Sequence, residues 1–246
     1  MYGEIRLIDL ILDIIFPRRC PICSDIVAPR GELICKECRL KLYPIGEPKC
    51  LKCGKPIDDW EKEYCYDCER KKHHYTKGFG LWIYKGDIKK SVADFKNHNK
   101  KEFARFYVEE LLHKYGDELV KINPDALVPV PIHRHKKMKR GYNQADVLAK
   151  EIGKKLKIPV LSDLLIRDKY TLPQKHLNDK ERLRNLDKAF SISQEVKHKF
   201  PKDLKKIVLV DDIYTTGSTI EVCTNVLLQN EVKEVYFICI CMGKGY

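Results

Sequence analysis

Eight of the eleven cysteines fall in four C-x-x-C pairs: Cys20 and Cys23, Cys35 and Cys38, Cys50 and Cys53, Cys65 and Cys68. Each member of the second half lies thirty residues after its counterpart in the first, so one small unit occurs twice. A unit that short buries too little apolar surface to fold alone. A C-x-x-C knuckle turns two thiolates toward one ion, and two knuckles complete a tetrahedral four-thiolate site whose binding energy becomes folding energy. The competing chemistry, disulfides, would rarely persist in a reducing cytoplasm, and the chain opens with no export signal. A redox role asks for one such motif beside a βαβ unit, not four in tandem. Two zinc ions held by these eight cysteines, within residues 19–70, are therefore expected. The spacing leaves their pairing open between two sequential sites and an interleaved cross-brace. Gly31 and Gly54 suit ribbon turns. His73 and His74 are expected in a solvated basic linker, and Cys223, Cys239 and Cys241 as small buried hydrophobes.

Residues 205–229 carry a second constraint. Ile207-Val208-Leu209-Val210 reads as a buried strand of a parallel sheet. Asp211 and Asp212 follow, then Thr215-Thr216-Gly217-Ser218-Thr219. A helix comes next, with Ile220, Cys223, Val226 and Leu227 on one face and Ser218 or Thr219 as its cap. Ligands of open α/β sheets bind beyond the carboxyl ends of strands, where this turn must lie. Backbone N–H groups, a helix dipole and four hydroxyls make a phosphate cradle. Carboxylates beside such a cradle would repel a bare polyanion, but suit sugar hydroxyls or a Mg2+ ion. Phosphate, diol and metal together describe a ribose 5-phosphate. A Walker-type loop is excluded because the Gly-x4-Gly-Lys-Ser/Thr pattern is absent.

The 246 residues leave room for an α/β domain over 75–246 in addition to the metal module. Lysine and arginine outnumber aspartate and glutamate by 47 to 35, a net +12, which favours a polyanionic partner. No run of apolar residues is long enough to span a membrane. Residues 1–18 pattern as an amphipathic helix, with Ile5, Leu7, Ile8, Ile11, Leu12 and Ile15 opposite Arg6, Asp9 and Asp13. Its mainly acidic polar face favours docking on protein over an acidic membrane.

Between the two constrained stretches, residues 78–84 read as a strand, and 87–97 and 101–115 as helices. The second of these helices places Phe103, Phe106, Tyr107 and Leu111 on one face. The polar junction 96–101 reads as a solvated helix join. A strand at 126–130 runs into a basic loop, 132–142, and then a helix starting near Asn143, with Ala145, Leu148, Ile152 and Leu156 facing the core. Following a buried strand, that loop should overhang the same sheet edge as the phosphate cradle. Pro131, Ile132, Arg134 and Arg140 are its expected contacts to a diphosphate, and the cationic loop suits a nucleic-acid backbone as well. The polar segment 164–190 reads as a loop and a charged helix suited to a lid. Residues 234–241 complete a βαβ unit and are expected to end the sheet. Trp60, Tyr64 and Tyr66 suit either ribbon cores or base stacking.

The strand followed by D-D-x-x-T-T-G-x-T resembles the phosphoribosyl diphosphate (PRPP) loop of type I phosphoribosyltransferases. Four further features match: the paired knuckles, Pro129-Val130-Pro131 with His133 and Arg134, the run Arg140 to Gln144, and the set Gln174, Leu177, Arg182, Asn185, Ala189 and Phe190. With them the chain resembles ComF-type proteins, the competence branch of that family. The resemblance implies an α/β, type I phosphoribosyltransferase-like fold behind a zinc-ribbon module. It also implies a PRPP pocket with Mg2+, in which Asp211 and Asp212 are the catalytic pair. The implied role is cytoplasmic, near the inner face of the membrane, in DNA uptake and natural transformation. There the protein would handle incoming single-stranded DNA together with competence helicase or channel components; the alternatives are an active phosphoribosyltransferase with an unnamed acceptor, or a PRPP-sensing regulator.

Overall fold

A computed structural model describes residues 17–29, 31–167, 189–193, 195 and 204–244. The expected amino-terminal helix falls largely outside them, as do Gln174, Leu177, Arg182 and Asn185 of the expected lid. In chain order the elements are α1 (Lys36–Arg39), α2 (Tyr66–Arg70), β1 (Lys77–Ile83), α3 (Asp87–Asn97), α4 (Phe103–Ile122), β2 (Ala126–Pro129), α5 (Arg134–Arg140), α6 (Gln144–Leu156), β3 (Leu165–Arg167), β4 (Phe190–Ile192), β5 (Lys206–Tyr214), α7 (Ser218–Leu228) and β6 (Glu234–Met242). This is a parallel sheet with flanking helices, preceded by the two cysteine units.

The main sheet runs β1-β6-β5-β2, and every pairing in it is parallel. β6 is therefore an inner strand, with β1 on its far side, and does not end the sheet as expected. Parallel strands require cover on both faces, and the β5 pattern shows it. Val208 and Val210 join a core with α3, α4 and α6, while Ile207 and Leu209 join one with α7 and the β3–β4 hairpin. All four are fully buried. The run Ile207 to Val210 is continuously apolar because it faces core on both sides.

The second predicted helix starts later and runs longer than expected, as α4, and it buries Phe103, Phe106, Tyr107 and Leu111 as its spacing required. Asn123 ends it in the left-handed conformation, one that asparagine tolerates. The basic loop contains a short helix, α5, not anticipated from its composition. None of the residues of α5 is buried, so it forms as a cationic ridge over the sheet edge.

The two cysteine units are copies in structure as well as spacing. Cys20 N–H donates to the Asp25 carbonyl at 2.7 Å, and Cys50 N–H to the Lys55 carbonyl at 2.8 Å. Val27 to Arg18 at 2.9 Å recurs as Ile57 to Pro48 at 3.1 Å. The bridge Arg19 to Ile26 recurs as Lys49 to Pro56. Ser24 and Gly54 both take positive φ, 67° and 79°. Cys20, Cys35 and Cys38 pack into the α4-side core, whereas Cys50, Cys53 and Cys65 pack into the α7-side core. The repeat thus straddles the sheet.

Candidate functional site

The sulfurs gather as two sequential tetrads, Cys20, Cys23, Cys35 and Cys38, then Cys50, Cys53, Cys65 and Cys68, each with all ligand atoms within 4.8 Å of one another. Pairing is therefore sequential and not cross-braced. In the second tetrad, hydrogen bonding among the thiols drives Cys50 far below the ordinary thiol range and Cys53 far above it. Burial is the first cause raising Cys23 to about 12 in the other tetrad. Four thiols this close cannot all ionise without a cation between them. The donor set is that of structural zinc, and two such sites fit two zinc ions.

At the other predicted site, β5 runs on to Tyr214, so Asp211 and Asp212 lie within the strand and not in the turn after it. Consecutive strand residues point to opposite faces, and the two acids have different neighbours. Asp212 pairs with Lys96 at the end of α3, Oδ1 to Nζ 2.9 Å. Asp211 accepts the Asp212 N–H at 2.8 Å and feels Arg167 of β3. Burial first, then the Asp212 charge, pushes the Asp211 carboxyl up to about 7. Both acids are partly exposed.

Gly217, not Ser218 or Thr219, is the cap residue of α7, at φ 80° and with no side-chain bond to the first turn. A Cβ there would also lie 2.4 Å from the Tyr214 hydroxyl, so only glycine fits. Thr216 and Ser218 hydroxyls lie 3.0 Å apart beside it. Thr215 is exposed, while Thr216, Ser218 and Thr219 are half-buried or better. The turn thus leaves the first helical N–H groups of α7 without a side-chain cap, open to an anion.

β2 is the neighbour of β5, and Val130 N–H donates to the Val210 carbonyl at 2.9 Å. The basic segment therefore leaves the same edge as the phosphate turn. Pro131, Ile132 and Arg134 line a cleft of about 200 Å3 with Lys137, Asp163 and Arg167. Arg140 instead bonds the Gln144 carbonyl oxygen at 3.0 Å. The run Arg140 to Gln144 works mainly as a brace. Gly141 caps α5 at φ 78°. The buried Tyr142 hydroxyl donates to the Phe95 carbonyl. Asn143 caps α6 and donates to Val130 at 3.0 Å, and Gln144 donates to the Lys96 carbonyl at 3.1 Å. This bracket fixes the end of α3 and so holds Lys96 against Asp212. Lys96, which the sequence placed in a solvated join, was signalled only by the basicity of that join.

The linker after the second tetrad is solvated at Arg70, Lys72 and His74, as expected, but not at His73. His73 is buried, with Nδ1 3.3 Å from Glu221, and the His74 backbone N–H lies 3.0 Å from the same carboxylate. His74 Nδ1 also contacts Glu221 Oε1. Burial works to raise the Glu221 pKa, but the hydrogen bonds from the two histidines bring it below the ordinary value. Glu221 sits in the first turn of α7, so the linker is clasped by the helix that carries the phosphate turn. A chain of buried groups runs parallel to it. The Cys68 sulfur lies 3.9 Å from the Tyr75 hydroxyl, which lies 2.7 Å from that of Tyr214, the residue packed under Gly217. No local sequence pattern announces these contacts, because the partners lie far apart along the chain.

The fold and its two sites define a class: a parallel α/β domain with an anion-competent strand-to-helix turn, fused to a double zinc ribbon. Residues 11–69 match the family model described as a double zinc ribbon domain. The chain is 29% identical to competence protein F of Haemophilus influenzae over 224 residues, 89% of this chain and 95% of that protein. It is 27% identical to the DNA utilization protein YhgH of Escherichia coli over 92% of this chain and 97% of that one. With competence protein ComFC of Bacillus subtilis the identity is 24%, covering 92% and 91%. The chain is thus similar to these competence and DNA utilization proteins along nearly its whole length. A purine phosphoribosyltransferase from Pyrococcus horikoshii superposes over 56% of this chain and 73% of its own, with a TM-score of 0.34 and 19% identity. Among the described residues no helix is long and apolar enough to cross a membrane.

Proposed function

We propose that the protein acts in DNA uptake, handling incoming single-stranded DNA on the cytoplasmic side of the membrane, and binds a phosphoribosyl ligand at the carboxyl edge of β5 and β2. The relatives named as competence and DNA utilization proteins support the first part. The second is carried by one observation: the Gly217 turn leaves α7 uncapped immediately after the Asp211–Asp212 pair. In this reading the 5-phosphate sits on Thr215, Thr216, Gly217, Ser218 and Thr219, and the ribose hydroxyls meet the two carboxylates. The diphosphate lies toward Pro131, Ile132 and Arg134, with Arg140 positioning the segment through Gln144. Asp211 and Asp212 are hard oxygen donors of the type Mg2+ takes, and that ion would neutralise the diphosphate charge. Residues 19–70 form the metal module and 75–246 the phosphoribosyl domain.

For the nucleic acid, α5 supplies Arg134, Lys136, Lys137, Lys139 and Arg140 as a ridge with no buried residue. Such a ridge binds backbone phosphate through counterion release. A second reading, transfer of the phosphoribosyl group to an acceptor, is favoured by the Asp211 carboxyl, which at about 7 titrates where a proton-transfer group operates. The protein would then contribute positioning and charge stabilisation as diphosphate departs.

Calorimetry with PRPP and Mg2+ on wild type and Asp212→Ala tests the pocket. Binding by wild type, weakened about tenfold or more in the variant, is expected. Absence of binding by both removes the phosphoribosyl reading. Affinity for oligothymidine should fall steeply with salt, and a salt-insensitive affinity removes the nucleic-acid reading.

A further inference from the structure

The two ribbons present equivalent faces to different surroundings. In the first, Ile34 is 1% exposed and Leu33 packs into the core beside α4. Arg39 on the same face bonds Glu110 of α4 at 2.5 Å. Thirty residues on, the counterparts of Leu33, Ile34 and Arg39 are Glu63, Tyr64 and Glu69. The matching hydrogen bonds of the two units make these positions structurally equivalent.

On the second ribbon no helix among the described residues lies over this face. Tyr64 is 41% exposed, Tyr66 48% and Trp60 76%. A groove of about 260 Å3 runs among Pro56, Ile57, Tyr64, Tyr66, Lys62 and Glu69. Exposed aromatics beside an apolar groove cost solvation energy and mark interaction surfaces. The aromatics here do not pack the ribbon core, one of the two uses their composition allowed.

Charge decides between occupants. From Asp58 to Arg70 the chain carries six carboxylates against two cations, Lys62 and Arg70, the latter 4.8 Å from the Tyr66 ring centroid, although the whole protein is net +12. Asp67 is neutralised inside the fold by Lys55 at 2.7 Å, and Asp58 faces Lys244 at 3.2 Å. Asp59, Glu61, Glu63 and Glu69 are exposed at the rim. Such a rim repels a nucleic-acid backbone, so base stacking on these rings is disfavoured. It also disfavours the chain's own residues 1–16, whose polar positions are mainly acidic. On the first ribbon the docked element supplies an acid to Arg39. On the second, Glu69 occupies that place and calls for a cation.

We infer that the outward face of the second ribbon docks a lysine- and arginine-bearing amphipathic segment of a partner protein, its apolar side on Ile57, Tyr64 and Tyr66 and its cations against Glu63 and Glu69. Trp60, 76% exposed and next in the chain to the lining residue Asp59, is the aromatic anchor. The interaction is independent of the phosphoribosyl site.

The molecule carries its own reporter, since Trp82, the second of two tryptophans, is 3% exposed and Trp60 lies open. The probe is a synthetic amphipathic helix of leucine and lysine, with a leucine–glutamate helix and oligothymidine as controls, added to the zinc-loaded full chain. The leucine–lysine helix should shift the Trp60 emission to the blue, with an affinity that weakens as salt rises. Glu63→Lys with Glu69→Lys should weaken it about tenfold and favour the leucine–glutamate helix instead. Unchanged zinc content shows that this variant keeps its fold, and Tyr66→Ala, which leaves the charges in place, should also weaken binding. The inference is overturned if both helices bind alike, or if the charge reversals change nothing. It is equally overturned if oligothymidine produces the shift, or if the chain covers this face by self-association.

Discussion

The first ribbon and the second hold their cysteines with the same hydrogen bonds, yet one is a buttress and the other a connection. The first rests on α4 through apolar side chains and the Arg39–Glu110 pair. Its knuckle residue Ser24 is exposed. The second is pressed onto the sheet itself. A Cβ on Gly54, the counterpart of Ser24, would lie 2.7 Å from the Gly78 carbonyl oxygen of β1, and Gly78 N–H donates to the Lys52 carbonyl at 2.9 Å. Lys55 is buried, paired with Asp67 and 5.5 Å from the Tyr214 ring centroid. Duplication of a metal knuckle copied the local backbone and left the outer residues of each copy to the surface it met. Among the described residues, it is the second copy and the linker after it that touch the tyrosine and helix shaping the phosphate turn.

The largest effect that sharpens this contrast is loss of a tetrad. Cys50→Ser with Cys53→Ser should remove one of two zinc ions and cost about 3–5 kcal/mol or more, read by atomic emission and thermal melting. It should also abolish PRPP binding, because Tyr75 and Glu221 lose their support. Cys20→Ser with Cys23→Ser should lose the other zinc while keeping that binding. Equal loss of PRPP affinity in both variants would break the distinction.

Next comes the buried tyrosine pair. Tyr214→Phe leaves the Tyr75 hydroxyl without its 2.7 Å partner and should cost about 1–3 kcal/mol in denaturant melts. Adding Tyr75→Phe should recover part of that cost, since no hydroxyl is then stranded. A double variant as unstable as the sum of the singles would show that the tyrosines are uncoupled.

The pH dependence of binding is a somewhat smaller effect. Asp211 has its pKa raised to about 7, so its ionisation is disfavoured in the fold. Its contribution to stability is complete below the unfolded carboxylate pKa, and is lost as pH rises through about 7. Ligand affinity runs the other way. If ribose hydroxyls donate to the ionised carboxylate, PRPP affinity should rise by up to about tenfold per pH unit below that pKa, then level off. Asp211→Asn should flatten the profile, and a wild-type profile flat across neutrality would separate Asp211 from the ligand. The smallest effect is at the first ribbon's surface. Arg39→Ala removes a half-exposed ion pair and should cost about 0.2–1 kcal/mol without changing PRPP affinity.

Much of this molecule is written in short-range pattern. The spacing of the cysteines sets the four knuckles and the two-copy repeat, and the apolar run at Ile207 to Val210 sets a buried parallel strand. The position of the β5 turn follows too, because glycine alone takes positive φ without cost, although the cap is Gly217 itself and not Ser218 or Thr219. The tertiary structure decided what lies beyond the reach of such patterns. It placed the tetrads in sequence and not interleaved, and put the two copies on opposite faces of the sheet. It turned Asp211 and Asp212 toward different neighbours, brought Lys96 to Asp212, and clasped His73 and His74 with Glu221. It also left Trp60, Tyr64 and Tyr66 in solvent while Ile34, the counterpart of Tyr64, is buried. Spacing along a chain governs which side chains share a face or a knuckle, since backbone geometry repeats over a few residues. Which distant surface that face meets depends on packing of the whole chain, and composition at one position carries no record of it.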